Sequence, residues 1–199
     1  MSDLERTGRR LQKATIIWNL IEVFITIGLG VAAGSLALVA FGLDSLIEVF
    51  ASLVVLWHMS DTGTAHRDRR AQRLVAAAFA ILAVYLTVAA IRSLVIQAEP
   101  DASPLGIAYL AITAIVMFTL AAWKGAVGRQ LNSEPFLAEA RMTHLDGWLA
   151  TAILTALTLN ATLGWWWADP VAALIIGAVA AHEAIELARD PTPSAPSKN

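Results

Sequence analysis

The chain has 199 residues, of which 57% are hydrophobic and 15% are charged, and its formal net charge is −2 at pH 7. Soluble domains average about 45 to 50% apolar and about 25% charged residues, so this composition excludes a single soluble domain and indicates a membrane protein. The acidic balance leaves no surplus positive charge for a phosphate backbone, which excludes nucleic acid as a partner, and the absence of cysteine excludes disulfides and thiolate metal sites.

Six apolar runs are long enough to cross a bilayer, which takes about 20 residues of helix. They cover residues 14–33, 35–58, 72–97, 105–127, 137–160 and 166–188. We therefore predict an all-α polytopic membrane protein, in which residues 14–188 form a bundle of six transmembrane helices. Residues 1–13 are predicted to be a basic cytoplasmic arm, and residues 189–199 a short disordered cytoplasmic tail.

The distribution of lysine and arginine predicts the orientation, because cytoplasmic segments carry the excess of these residues. All but one of the 14 lie before span 1, in or next to the loop after span 2, in or next to the loop between spans 4 and 5, or after span 6. In this count Lys124, Arg129 and Arg141 surround the loop between spans 4 and 5. The count leaves no lysine or arginine inside the bundle at the depth of its acidic residues. Both termini are predicted to be cytoplasmic.

Four acidic residues lie inside the spans, where a charged side chain costs about 2.5 to 3.5 kcal/mol to insert. They are Glu22 in span 1, Asp44 and Glu48 in span 2, and Asp146 in span 5. Asp44 and Glu48 are four residues apart, so both carboxylates lie on one helix face and require a shared cation, a held proton or an opposing base. A bound cation or proton explains the pair best, and two protonated, hydrogen-bonded carboxyl groups are the alternative. Glu22, three residues after Asn19, is interpreted as an accessory ligand, a proton carrier or a hydrogen-bond partner of another span.

Span 5 carries a stripe of candidate ligands that runs inward from its cytoplasmic end. Glu139, Met142 and Asp146 are spaced i, i+3 and i+7 and therefore share one face. His144 is about 200° around the helix from Asp146, which predicts that it faces another direction. On sequence alone Met142 is interpreted as a flexible packing residue.

Three segments resemble the transmembrane domain of the cation diffusion facilitator family, which consists of six-helix exporters of divalent metal ions. Residues 34–48 (GSLALVAFGLDSLIE) resemble the second-helix motif, in which a small-residue turn leads to an aspartate, Ser-Leu and a second acid. The motif Glu139-x-x-Met142-x-x-x-Asp146 resembles the fifth-helix pattern of acid, histidine and aspartate. Residues 168–170 (ADP) resemble the start of the sixth helix, and the whole resemblance covers roughly residues 10–190.

The resemblance implies an intramembrane metal site in which Asp44 and Glu48 face two ligands from span 5. One of these is Asp146, and the other stands at the position of the family's histidine, which is Met142 here. A thioether, a water molecule or a locally shifted His144 then replaces the nitrogen ligand associated with zinc. The resemblance also implies a homodimer. The cytoplasmic metal-binding domain of many members is missing, so we expect a short, transmembrane-only branch.

These features predict a transporter that exports Zn²⁺, or alternatively Co²⁺, Mn²⁺ or Fe²⁺, from the cytoplasm in exchange for protons by alternating access. Carboxylates suit Mn²⁺ and Fe²⁺, whereas the resemblance favours Zn²⁺. The metal ion is the substrate, no prosthetic group is expected, and no nucleophile or nucleotide loop indicates an enzyme. The alternative is a non-transporting membrane subunit or regulatory partner with a vestigial metal site. We expect a multi-pass protein of a bacterial inner membrane.

Overall fold

The computed structural model describes residues 3–59, 65–131 and 134–189, which form six α-helices and no strand. The helices are α1 (Asp3–Ala33), α2 (Leu36–Met59), α3 (Ala65–Val95), α4 (Pro104–Leu131), α5 (Glu134–Leu163) and α6 (Ala168–Arg189). The structure describes the side chains of these helices except those at positions 3–5, 9, 12, 51–59, 65–72, 131, 134–136, 138 and 139. The predicted tail lies outside the described residues from position 190 onward.

Each predicted span corresponds to one helix, and several helices extend past the apolar run. α1 begins at Asp3, so most of the predicted basic arm continues the first helix. α3 begins at Ala65 rather than at 72, and α4 continues to Leu131 rather than ending at 127. Arginine, lysine, glutamine and alanine are good helix formers, which explains why the helices continue beyond their apolar segments.

Four helices contain a segment that is long and apolar enough to span a membrane, counted over the described residues. These segments are Arg6–Ala33, Arg73–Val95, Pro104–Gln130 and Ala168–Arg189. α5, with 30 residues, is also long enough to cross a bilayer, but it contains several polar threonine side chains. The hydroxyls of Thr151, Thr155, Thr158 and Thr162 each donate to the carbonyl four residues earlier, so they are satisfied within the helix and tolerate an apolar environment. The predicted class, an all-α polytopic membrane protein, is confirmed.

The helices pack as two hairpins, α1 with α2 and α4 with α5, while α3 packs against α6. α2 also contacts α3, α5 and α6 and is therefore the central helix. We call the end where α1, α3 and α5 begin the basic end, and the opposite end the turn end. In the half near the turn end, buried side chains including Leu38, Phe41, Leu86, Leu110 and Ile153 form the core.

One carboxylate of α6 forms hydrogen bonds with the turn between α1 and α2. Gly34 has a φ of 65°, in the left-handed region that favours glycine. Asp169, at the start of α6, accepts hydrogen bonds from Ser35 Oγ and from the backbone amides of Leu36 (2.8 Å) and Ala37 (3.3 Å). These amides belong to the first turn of α2 and have no partner inside the helix. Asp169 therefore caps α2 from a different helix.

Candidate metal site

A cavity of about 260 Å³ lies between the helices, from the middle of the bundle towards the basic end. All six helices contribute to its lining, which consists of Thr15, Ile16, Asn19, Glu48, Val49, Val75, Phe79, Lys124, Met142, Thr143, Asp146, Glu183 and Leu187. Two of the predicted ligands, Glu48 and Asp146, are among these residues. The cavity therefore joins the acidic positions of α2 and α5, as the motif resemblance implies.

The predicted acids of α2 and α5 lie close to one another. The carboxyl groups of Glu48 and Asp146 are near enough to be hydrogen-bonded to each other. Because an ionised carboxylate only accepts hydrogen bonds, this arrangement requires a proton held between the two groups or a cation that bridges them. Asp44 is buried one helical turn from Glu48 and is within electrostatic range of it. The carboxyl groups of Asp44, Glu48 and Asp146 thus share one interior region, and those of Glu22 and Glu183 are also within electrostatic range of Asp44.

Two polar residues of α1 form hydrogen bonds with the acidic region of α2. Asn19 Nδ2 donates a hydrogen bond to Glu48 Oε2 at 2.9 Å, and Asn19 Oδ1 has no hydrogen-bond partner among the described residues. Glu22 is buried and accepts hydrogen bonds from Ser45 Oγ at 2.6 Å and from Trp18 Nε1 at 3.2 Å. Of the roles considered for Glu22, the structure shows a hydrogen bond to another helix. The i, i+3 spacing of Asn19 and Glu22 was the signal that both face α2.

Of the remaining candidate metal ligands on α5, one lines the cavity and another does not. Met142 lines the cavity with Asp146, although 39% of its side chain is exposed. His144 does not line the cavity. Its Nε2 accepts a hydrogen bond from Trp148 Nε1 at 3.2 Å, and its ring packs edge-on against Phe118. The side chain of Glu139 lies outside the described residues.

Lys124 is a buried site residue that was not predicted to lie beside the acids. The prediction that no lysine or arginine lies inside a span at the depth of the acids is wrong, because Lys124 lines the cavity with Glu48 and Asp146. α4 continues to Leu131, so Lys124 lies about two turns inside the helix. Lys124 is only 2% exposed, and its Nζ donates to Thr143 Oγ1 at 3.0 Å. The predicted span 105–127 already contained Lys124, and this was the signal that it lies within the fourth helix.

The positive charge of Lys124 acts on the acidic pair. It interacts electrostatically with both Glu48 and Asp146. Within the described residues, no three Asp, Glu or His side chains are grouped closely enough to hold a metal ion. The region is therefore a carboxyl pair with a buried ammonium beside it and a third carboxyl one turn away. Binding of a metal by all three acids requires their side chains to move together.

Comparison with known proteins identifies the family. The family model of the cation efflux transmembrane domain matches residues 13–194. The uncharacterised transporter sll1263 of Synechocystis sp. is 26% identical over 183 residues, which are 84% of this chain and 59% of that protein. Transmembrane protein 163 of Xenopus laevis is 24% identical over 199 residues, which are 94% of this chain and 70% of that protein. The chain belongs to the cation efflux family, whose members carry a metal ion as transported substrate and no prosthetic group.

Proposed function

We propose that this protein exports a divalent metal cation from the cytoplasm, Zn²⁺ or alternatively Co²⁺, Mn²⁺ or Fe²⁺, in exchange for protons. The observation that carries the proposal is the carboxyl pair of Glu48 and Asp146 inside a cavity, with Asp44 buried one turn away. Acidic side chains inside a membrane bundle line substrate and ion pathways by default, because their burial is otherwise unfavourable.

The available donor atoms fit a divalent cation. Asp44, Glu48 and Asp146 supply carboxylate oxygens, and the orphan Oδ1 of Asn19 supplies a neutral oxygen close to Glu48. Oxygen ligands suit Mn²⁺ and Fe²⁺ and are accepted by Zn²⁺ and Co²⁺. Met142 adds a thioether at the position that the resemblance gives to the family's histidine. This donor set supports a divalent metal cation.

The chemistry of the carboxyl pair supports exchange for protons. The close approach of Glu48 and Asp146 requires a proton or a cation between them. A metal ion that enters the pair displaces the proton, and a proton returns when the metal leaves. Each transport cycle then moves metal and protons in opposite directions, which is antiport.

Alternating access is supported by the position of the cavity in the bundle. The cavity extends from the acids towards the basic end, whereas the buried side chains of Leu38, Phe41 and Leu110 pack between the helices nearer the turn end. With the basic end in the cytoplasm, as the charge distribution predicts, this arrangement admits a metal from the cytoplasm. Release on the other side then requires the helices to rock and separate the turn-end core. The resemblance further supports a homodimer, and we propose a bacterial inner membrane as the location.

Flux measurements in proteoliposomes test the proposal. The purified full chain is reconstituted, a proton gradient directed out of the vesicles is imposed, and uptake of Zn²⁺, Co²⁺, Mn²⁺ and Fe²⁺ is followed with a trapped indicator. We expect at least one ion to accumulate faster with the gradient than without it, and a protonophore to remove the difference. Uptake that equals protein-free vesicles for all four ions, with folded protein, would contradict the proposal.

The buried Lys124 also favours a second candidate, a non-transporting subunit with a vestigial metal site. In that case the ammonium permanently neutralises the acids as a structural ion pair, and breaking such a buried pair is strongly destabilising. The two candidates differ in flux. A vestigial site gives no uptake of any ion by folded wild-type protein, and Asp44→Asn then changes only its stability or assembly.

A further inference from the structure

A buried lysine is unexpected beside a site proposed for a divalent cation, because like charges repel. Lys124 nevertheless lines the same cavity as Glu48 and Asp146 and interacts electrostatically with both. Only 2% of its side chain is exposed, so its charge is screened little by water. Lys124 therefore contributes directly to how strongly this cavity attracts any cation.

The position of Lys124 joins the two helices of a hairpin next to the acidic pair. Its Nζ donates to Thr143 Oγ1 of α5 at 3.0 Å, and Thr143 precedes Asp146 by three residues on the same helix. A lysine ammonium is a point charge at the end of a flexible four-carbon stem, so it can shift within the cavity while α4 and α5 stay packed. The ammonium can thus approach or leave the carboxyl groups without unfolding either helix.

We propose that Lys124 is the internal counter-cation of the metal-free carrier, an inference that rests on the proposed transport function. Its ammonium stabilises the carboxyl pair of Glu48 and Asp146 when no metal is bound. When a divalent cation occupies the pair, Lys124 moves away from the carboxyl groups and repels the ion. Lys124 therefore weakens metal binding and accelerates metal release.

Replacement of the charge tests this role in two independent measurements on the full chain. Lys124→Gln removes the charge, Lys124→Arg keeps it, and Thr143→Val removes the hydroxyl that accepts the hydrogen bond from Nζ while leaving the charge. Equilibrium binding is measured with Zn²⁺ and Mn²⁺, and the maximal rate of flux is measured in proteoliposomes. We expect Lys124→Gln to bind metal about tenfold more tightly and to release it more slowly, with a lower maximal rate. Lys124→Arg and Thr143→Val should bind within a few-fold of wild type.

The second measurement uses no metal. Thermal unfolding is compared for Lys124→Gln, Glu48→Gln and the double variant in metal-free protein. The double variant should be less destabilised than the sum of the single variants, because it removes both members of the charge pair. If Lys124→Gln alone does not fold, the double variant should still fold. Failure of both variants to fold would overturn the inference.

The outcomes separate this inference from the proposed function. If wild-type protein neither binds nor transports any tested metal, the proposed function is overturned, and so is the role of Lys124 that rests on it. Wild-type protein that binds metal, with unchanged or weaker affinity in Lys124→Gln, overturns only the role of Lys124. Additive effects of Lys124→Gln and Glu48→Gln on metal-free stability overturn it as well.

Discussion

Asn19 of α1 donates a hydrogen bond from Nδ2 to Oε2 of Glu48 on α2, at a distance of 2.9 Å. Only 5% of the Asn19 side chain is exposed, so little water competes for this bond. A hydrogen bond to a charged group contributes about 1.5 to 3 kcal/mol, which is enough to fix the position of the carboxylate. The first helix therefore orients a carboxylate of the second helix at the cavity.

Replacement of Asn19 by leucine is expected to weaken metal binding. The variant loses the hydrogen bond that orients Glu48, and it also loses the Asn19 Oδ1 oxygen as a potential metal ligand. We therefore expect the KM for metal flux to rise about tenfold or more. Thr15→Val is the matched control, because Thr15 lines the same cavity but donates its hydroxyl to Leu11 O within its own helix. Equal KM values in the two variants would show that Asn19 does not position the site.

Removal of the Asp169 carboxylate is expected to destabilise the bundle rather than to alter metal affinity. Asp169→Ala leaves the buried Ser35 hydroxyl and two amides of α2 without their acceptor, at a cost of about 1 to 3 kcal/mol for each donor. Thermal unfolding in detergent measures the effect. Glu99→Ala, at an exposed position in the loop before α4, is the control and should unfold like wild type. A normal unfolding temperature for Asp169→Ala would contradict the capping role.

The contact between α1 and α2 depends on Gly30. An added Cβ at Gly30 would lie 2.7 Å from the backbone nitrogen of Val39, whereas an added Cβ at Gly28 meets nothing within 4 Å. Gly30→Ala should therefore force the helices apart and cost about 1 to 3 kcal/mol of stability. Gly28→Ala should be tolerated. Unfolding temperatures of the two variants in the same detergent provide the comparison, and similar values would argue against close packing at Gly30.

The six helices could be predicted because each apolar run is long enough to span a bilayer by itself. The direction of His144 also followed from local geometry, since a helix places it about 200° from Asp146. The depth of Lys124 was not predicted, because the charge count only grouped it with the residues around a loop, whereas its burial depends on how α4 packs against α5. The link from Asp169 to Ser35 joins residues 134 positions apart, and no local pattern contains it.

Restoring the motif histidine tests whether position 142 takes part in metal selection. Met142 lines the cavity with Asp146, and an imidazole nitrogen is a better ligand for Zn²⁺ than a thioether. Met142→His should raise the ratio of Zn²⁺ to Mn²⁺ affinity about tenfold. His144→Ala should leave the ratio unchanged, because His144 contacts Trp148 and Phe118 instead of the cavity. An unchanged ratio in Met142→His would remove position 142 from the site.

We propose that the acids of α2 and α5 bind the transported metal together. Equilibrium metal binding and proteoliposome flux of Asp44→Asn and Asp146→Asn test it most directly, with Asp101→Asn as a matched control at an exposed loop position. We expect both site variants to fold, to lose binding by a hundredfold or more and to lose flux, while Asp101→Asn behaves like wild type. Binding and flux that persist in folded Asp44→Asn and Asp146→Asn would contradict the account.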